Sequence, residues 1–393
     1  MVRRTTGLGL ALTLIASAAL AQVPSSPPGP GGRGGRGPSV ISPEVGADRT
    51  ITLRYLAPNA TQVTVSGELD GKPHPMTKGA DGIWTVTVGP FAPDIYTYSF
   101  NVDGVVALDP RNVNTKYGYG NFGPVSVVEV PGDGPQFYDT RPVPHGEVRI
   151  RPYVSKTLGL SRTVWVYTPP NYEKGGNFPV LYLLHGAGDI ESGWTMIGRA
   201  NNILDNLIAE GKAKPMVVVM PLGHTIQSFW TGPAKSVAPA GQPPSPGPAG
   251  LSAFAKDLLD DVMPMIESTY KVSKKADDRA IGGLSMGGGQ TMNIAFSRPE
   301  LFRYVVMMSP AAPRTPEQQY PAAFKDPSAL NKQFKLFWMA VGKDDTLTGP
   351  GDRELTKAFE QAGIKHQFKL TDGRHEWTVW RNHLNEVAPL LFK

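Results

Sequence analysis

Residues 279–295, Arg279-Ala280-Ile281-Gly282-Gly283-Leu284-Ser285-Met286-Gly287-Gly288-Gly289-Gln290-Thr291-Met292-Asn293-Ile294-Ala295, read as a short apolar strand, a glycine-rich corner and a helix. Inside the corner, Gly283-Leu284-Ser285-Met286-Gly287 fits G-x-S-x-G, in which small flanking residues let a strand turn sharply into a helix and leave the serine oxygen exposed. In a chain with 44 glycines the bare pattern arises by chance about 0.3 times, so the flanks carry the reading. Residues 279–281 enter as a strand and 288–295 leave as a helix, the context that a reactive serine needs. A glycine corner that only packs a helix on a sheet is the competing role.

Around this corner, from about residue 140, apolar runs alternate with helical spacing. The runs are 163–167, 180–184, 216–220, 304–308 and 336–341, and continuous hydrophobicity is what a parallel strand covered on both faces requires. Helical spacing marks 201–210, 254–270, 290–298 and 353–362, with Gly211 and Gly363 at helix stops and Pro264 placed to kink or divide the second of these. The pattern predicts a doubly wound, mainly parallel α/β sheet over 140–393.

Two further segments belong with the corner. Leu181-Tyr182-Leu183-Leu184-His185-Gly186-Ala187-Gly188 is an apolar strand ending in a loop of small residues that can aim backbone N–H groups. In the α/β-hydrolase fold the oxyanion of the attacked carbonyl is held by the amide after the nucleophile, here Met286, and by one from this loop, here Ala187. His185 is expected to brace the loop. A serine hydroxyl needs an imidazole to take its proton and an acid to fix that ring's tautomer. His375, in Asp372-Gly373-Arg374-His375-Glu376-Trp377, follows the last predicted strand, and Asp344-Asp345 follows the strand before it. The order serine, acid, histidine is that of α/β-hydrolases, with Asp344 and Asp345 both open as the acid. The remaining histidines, His74, His145, His224, His366 and His383, form no metal-binding spacing, so no metal or cofactor is expected.

Composition narrows the chemistry. The 393 residues include 38 Pro and no Cys, which excludes a disulfide scaffold, thiolate metal sites and a cysteine nucleophile. Of the formal net charge of +5, Arg3, Arg4, Arg33 and Arg36 precede the first acidic residue, Glu44, so the rest of the chain carries no basic excess for nucleic acid. Arg3 and Arg4 followed by an apolar run ending in Ala19-Leu20-Ala21 read as an export signal over 1–21, too short to span a bilayer, which implies a periplasmic or secreted protein with no membrane attachment after cleavage. Residues 22–42, rich in Pro, Gly and Arg, read as a solvated linker. Over 43–131 apolar residues alternate with period two, as in Tyr96/Tyr98/Phe100/Val102, between Asp-Gly turns, which predicts a small immunoglobulin-like β-sandwich. Trp84 is expected in its core.

The chain from about Val148 resembles the esterase family that includes feruloyl esterases, acetylxylan esterases, esterase D and the mycolyltransferases. Four ordered motifs carry the likeness: Leu183-Leu184-His185-Gly186-Ala187-Gly188 with Trp194, Gly282-Gly283-Leu284-Ser285-Met286-Gly287-Gly288, Gly342-Lys343-Asp344-Asp345-Thr346-Leu347, and Gly373-Arg374-His375-Glu376-Trp377. The resemblance implies Ser285 as nucleophile, His375 as base, Asp345 as the acid, and Ala187 and Met286 as oxyanion amides. The sandwich, through Gly82-Ile83-Trp84-Thr85-Val86-Thr87-Val88-Gly89-Pro90 and residues 96–104, is similar to the module that precedes some of these esterases and to that of glycogen-branching enzymes and isoamylases. Some such modules bind polysaccharide.

One segment departs from the family pattern. After Ser228-Phe229-Trp230-Thr231-Gly232 comes an irregular stretch, 233–250, with six prolines, on the catalytic edge of the sheet. Phe229 and Trp230 are therefore expected to wall an acyl site, against the alternative of an insertion without a role. The sequence reading is an exported serine esterase acting through an acyl-enzyme on feruloyl or acetyl esters of plant-wall xylan. A siderophore lactone esterase is the alternative, though anionic catecholates call for Arg and Lys and the long loop offers only Lys235. A glycan-binding protein with an inert hydrolase domain is the alternative of another class. The expected partner is an ester-bearing small molecule or polysaccharide; the sequence is silent on oligomeric state.

Overall fold

The computed structural model describes residues 40–226, 228 and 251–393. The expected signal peptide, most of the linker, Phe229, Trp230 and the stretch 233–250 lie outside the described residues. Residues 40–393 make one compact unit.

Short strands come first: β1 (Glu44–Val45), β2 (Ile51–Leu56), β3 (Val63–Gly67), β4 (His74–Pro75), β5 (Thr77–Lys78), β6 (Ile83–Val88), β7 (Asp94–Val102), β8 (Val105–Ala107), β9 (Thr115–Lys116) and β10 (Val125–Val130). They form two antiparallel sheets, β1-β2-β6-β5 and β4-β3-β7-β10-β9, with β8 beside β7. Period-two alternation turns Ile51, Leu53 and Trp84 of the first sheet toward Val65, Tyr98, Phe100 and Val128 of the second, giving a shared core. Trp84 is buried there and its ring N–H donates to the Ala57 carbonyl, so it is core and not a platform. Two residues assigned to the linker, Val40 and Ser42, are also buried, the Ser42 hydroxyl donating to Asp109.

The second part is built on an eight-stranded sheet: β11 (Glu147–Ser155), β12 (Leu160–Thr168), β13 (Val180–Leu184), β14 (Val217–Pro221), β15 (Arg279–Leu284), β16 (Tyr304–Met308), β17 (Leu336–Gly342) and β18 (Gln367–Thr371), in the order β11-β12-β14-β13-β15-β16-β17-β18. From β14 to β18 all pairings are parallel. The apolar run 163–167 is a correction: it lies in β12, which runs antiparallel to both of its neighbours. Its side chains enter the cores on both faces of the sheet, Val164 and Val166 on one and Tyr167 on the other. Two-sided burial, not strand direction, made it apolar. The largely exposed edge strand β11 has no such run, and the sequence pattern missed it.

Helices Met286–Ser297 and Gly349–Ala362 cover one face; Ala200–Ala209 and Trp377–Val387 cover the other. The predicted 254–270 helix is continuous in backbone conformation but widens before Pro264: a π-helical segment, Asp257–Val262, lies between Ala253–Lys256 and Met263–Thr269, whose first turn holds the proline. Proline has no N–H to continue an α ladder, and its tolerated place is a helix's first turn. The carboxyl ends of β13, β15, β17 and β18 meet along one rim, and the three sequence motifs beyond the serine corner hang from them.

Candidate active site

The serine corner is built by close approach. A Cβ on Gly283 would lie 2.6 Å from the Gly287 backbone, and one on Gly287 would lie 2.6 Å from the His185 carbonyl oxygen. Only hydrogen fits at either place. Ser285 sits between them at φ 50° and ψ −116°, a left-handed conformation that a non-glycine residue adopts at a cost of about 1–3 kcal/mol. The corner lifts the hydroxyl onto the rim.

His375 arrives in the loop after β18. Its Nε2 accepts the Ser285 hydroxyl at 2.9 Å and its Nδ1 donates to Asp345 Oδ2 at 2.7 Å, so one ring bridges the hydroxyl and the carboxylate in one tautomer. Asp345 is buried, whereas Asp344 is exposed. The Asp345 carboxylate also accepts from the amides of Leu347 and Thr348, both at 2.9 Å, and from the Thr348 hydroxyl at 3.0 Å. Burial pushes this carboxyl up, but the His375 hydrogen bond and then the Thr348 amide outweigh it and hold it well below the usual carboxylate range. The ring is further held by Trp380, edge to face at 4.9 Å.

Ala187 and Met286 both line the cavity that opens beside Ser285. Met286 is the first residue of its helix, so its amide is one of the first-turn N–H groups without an intrahelical acceptor. His185 stands apart from His375. Its Nδ1 donates to the Gly186 carbonyl and its Nε2 accepts the Gly223 amide, both at 2.8 Å, which joins the Ala187 loop to the loop after β14. Burial, reinforced by the neighbouring His224, pushes its imidazole down to about 3, leaving it neutral and structural.

The cavity has a volume of about 620 Å³ and is lined by Phe254, Ala311, Pro313 and Tyr320 on its apolar sides, with Gln290 and Asn293 as neutral polar groups. Met286, Gln290 and Asn293 share a helix face at spacings of four and three, a pattern visible in the sequence. His224, which joins this lining, donates from Nε2 to the Asp189 carbonyl and lies 3.9 Å, centroid to centroid, from the Tyr119 ring of the N-terminal part. That part also reaches the loop of His375: Arg374 donates to the Glu68 carbonyl at 3.0 Å, and the Trp377 amide donates to the Glu68 carboxylate at 3.0 Å. No sequence motif marks Tyr119, Glu68 or His224, because each acts through contacts made only in the folded chain.

Residues 155–391 match the Esterase family. The chain belongs to that family. Among relatives of this family member, the endo-1,4-beta-xylanase/feruloyl esterase of Xylanibacter ruminicola is 33% identical over 360 residues, which cover 89% of this chain and 46% of that protein. The chain thus spans about half the length of that relative. Among solved structures, a ferulic acid esterase is 25% identical with a TM-score of 0.53, covering 63% of this chain and 97% of that one. The enterobactin esterase of Shigella flexneri, at 18% identity and a TM-score of 0.65, covers 87% of this chain and 93% of that one, and shares the fold.

Proposed function

We propose that this esterase family member is an exported serine hydrolase that cleaves feruloyl or acetyl esters of plant-wall xylan. The observation that carries the reaction is the continuous Ser285–His375–Asp345 chain of hydrogen bonds on the rim beside the cavity. Ser285 Oγ attacks the ester carbonyl while His375 Nε2 takes its proton, and Asp345 offsets the charge on the ring. The oxyanion that forms is held by the amides of Met286 and Ala187. As the tetrahedral adduct collapses, the C–O bond to the alcohol breaks and His375 returns the proton to the departing oxygen. Water then enters: His375 takes its proton, hydroxide adds to the acyl-enzyme carbonyl, and the acid leaves as Ser285 regains its hydrogen.

Support for the acyl group comes from the cavity, whose apolar and neutral lining suits an uncharged aromatic acid better than a multiply anionic catecholate. The Xylanibacter relative, named a xylanase and feruloyl esterase, supports a wall polysaccharide as the alcohol side. The sandwich is read as a carbohydrate-binding module and the amino-terminal 21 residues as the export signal; Phe229 and Trp230 remain candidates for the acyl wall.

The test is turnover of methyl ferulate, acetylated xylan and an enterobactin-type lactone by the intact protein and by Ser285→Ala. Ferulate or acetate release by the intact protein alone is expected. Full hydrolysis by Ser285→Ala removes the nucleophile assignment, and preference for the lactone replaces the substrate. Retention on xylan without labelling of Ser285 by a fluorophosphonate would make the protein a binder.

A further inference from the structure

The loop that carries Ala187 ends in Asp189, whose carboxylate is buried and faces the ammonium of Lys116 at 2.5 Å. Lys116 belongs to β9, in the N-terminal sheets, and is itself nearly buried, with 11% of its side chain exposed. Its Nζ also lies 3.5 Å from the Gly188 carbonyl. The same N-terminal segment closes on the loop at two more points. A Cβ on Gly188 would lie 3.0 Å from the Phe122 ring, and one on Gly118 would lie 3.0 Å from the Gly188 carbonyl oxygen.

Lys116 is the charged partner that tethers the buried Asp189 side chain; without it the carboxylate either takes up a proton or turns toward water, and in both cases the tether on its loop is lost. Ala187 is two residues before Asp189, and an oxyanion donor must sit within a few tenths of an ångström of its productive position to stabilise charge that appears only in the transition state. We propose that Lys116 is a positioning residue for the oxyanion hole: by pinning Asp189 it fixes the Ala187 amide, so that one half of the hole is set from the N-terminal part of the chain. This inference rests on the esterase reading. It adds a requirement that the triad geometry does not contain, since Lys116 touches neither Ser285 nor His375.

The experiment uses the full-length protein and the variants Lys116→Met, Lys116→Arg and Lys116→Met/Asp189→Asn. It measures kcat and KM on an aryl ester across pH, thermal midpoint, and inhibition by an aryl boronic acid, whose serine adduct presents an oxyanion. Expected for Lys116→Met is a fall in kcat of about ten- to a hundredfold with KM within about twofold, a matching loss of boronate affinity, and an unmoved acidic limb of the pH profile. Lys116→Arg should restore most of the loss. The double variant, which leaves no unpaired charge, should fold even where Lys116→Met does not, and should keep the kcat and boronate defects. A folded Lys116→Met or double variant with wild-type kcat and boronate affinity overturns the proposal, as does a loss confined to KM or shared equally by an inhibitor that forms no oxyanion. Absence of turnover by the wild type would remove the esterase reading and this inference together, whereas wild-type turnover with an unaffected variant removes only the inference.

Discussion

Arg381, on the helix Trp377–Val387, and Asp94, at the start of β7, form a buried ion pair at 2.5 Å across the contact between the N-terminal sheets and the hydrolase sheet. The guanidinium is fully buried and also donates to the carbonyls of Ile95 and Ile197. Removing one partner leaves the other buried and unpaired, so Arg381→Ala should lower unfolding free energy by about 3–5 kcal/mol in chemical denaturation. For the same reason residues 140–393 expressed alone should be markedly less stable than the whole chain, a comparison that thermal melts would decide.

Asp345 and Asp344 should separate cleanly. Asp345→Asn keeps the shape but removes the charge that orients and balances the ring, so kcat should fall by about 10³–10⁴ with KM little changed. Asp344→Asn, at an exposed side chain, should stay within about twofold of wild type. Steady-state kinetics on methyl ferulate with both variants checks the assignment, and equal effects would refute it.

The Asp345 carboxyl, held well below the usual carboxylate range by the His375 hydrogen bond and the Thr348 amide, stays charged at mildly acid pH, so the acidic limb of kcat/KM should not come from protonation of this acid. His185, pushed down to about 3 by burial, stays neutral throughout. His185→Ala should therefore lower kcat by loosening the Ala187 loop while leaving the acidic limb of kcat/KM in place. Movement of that limb would make His185 part of the proton path.

Asp352 lies in the first turn of Gly349–Ala362, fully buried near Asp345. Burial raises its carboxyl to about 8, with the Asp345 charge adding to the effect. An acid whose pKa is higher folded than unfolded binds more protons in the native state, so its contribution is present below about pH 4 and is lost as pH rises toward 8, at up to about 1.4 kcal/mol per unit. Asp352→Asn should gain stability relative to wild type as pH rises from 5 to 8. Denaturation midpoints for the pair at those two pH values measure it, and a constant difference would contradict the assignment.

What could be read along the chain was local. Ser285 was legible because its glycines announce a corner, and His375 and the pair Asp344–Asp345 because short motifs follow predicted strands in a fixed order; the choice of Asp345 within the pair rested on the family resemblance. The direction of β12 was not, since burial on both faces gives antiparallel and parallel strands the same composition. Lys116, Glu68 and Tyr119 were invisible for a different reason. A lone lysine, glutamate or tyrosine in a short strand or turn looks like surface until another part of the chain, 73 residues away for Lys116 and Asp189, covers it. Asp94 and Arg381, 287 residues apart, are the same case.

The left-handed backbone at Ser285 sets reactivity against durability at a single residue. Glycine would accept that φ without penalty, and the relief of about 1–3 kcal/mol exceeds the roughly 0.5–1 kcal/mol that glycine loses through unfolded-chain entropy. The Ser285→Gly protein should thus outlast the native one on heating: tolerance of heat is surrendered at the residue whose hydroxyl is proposed to attack the ester.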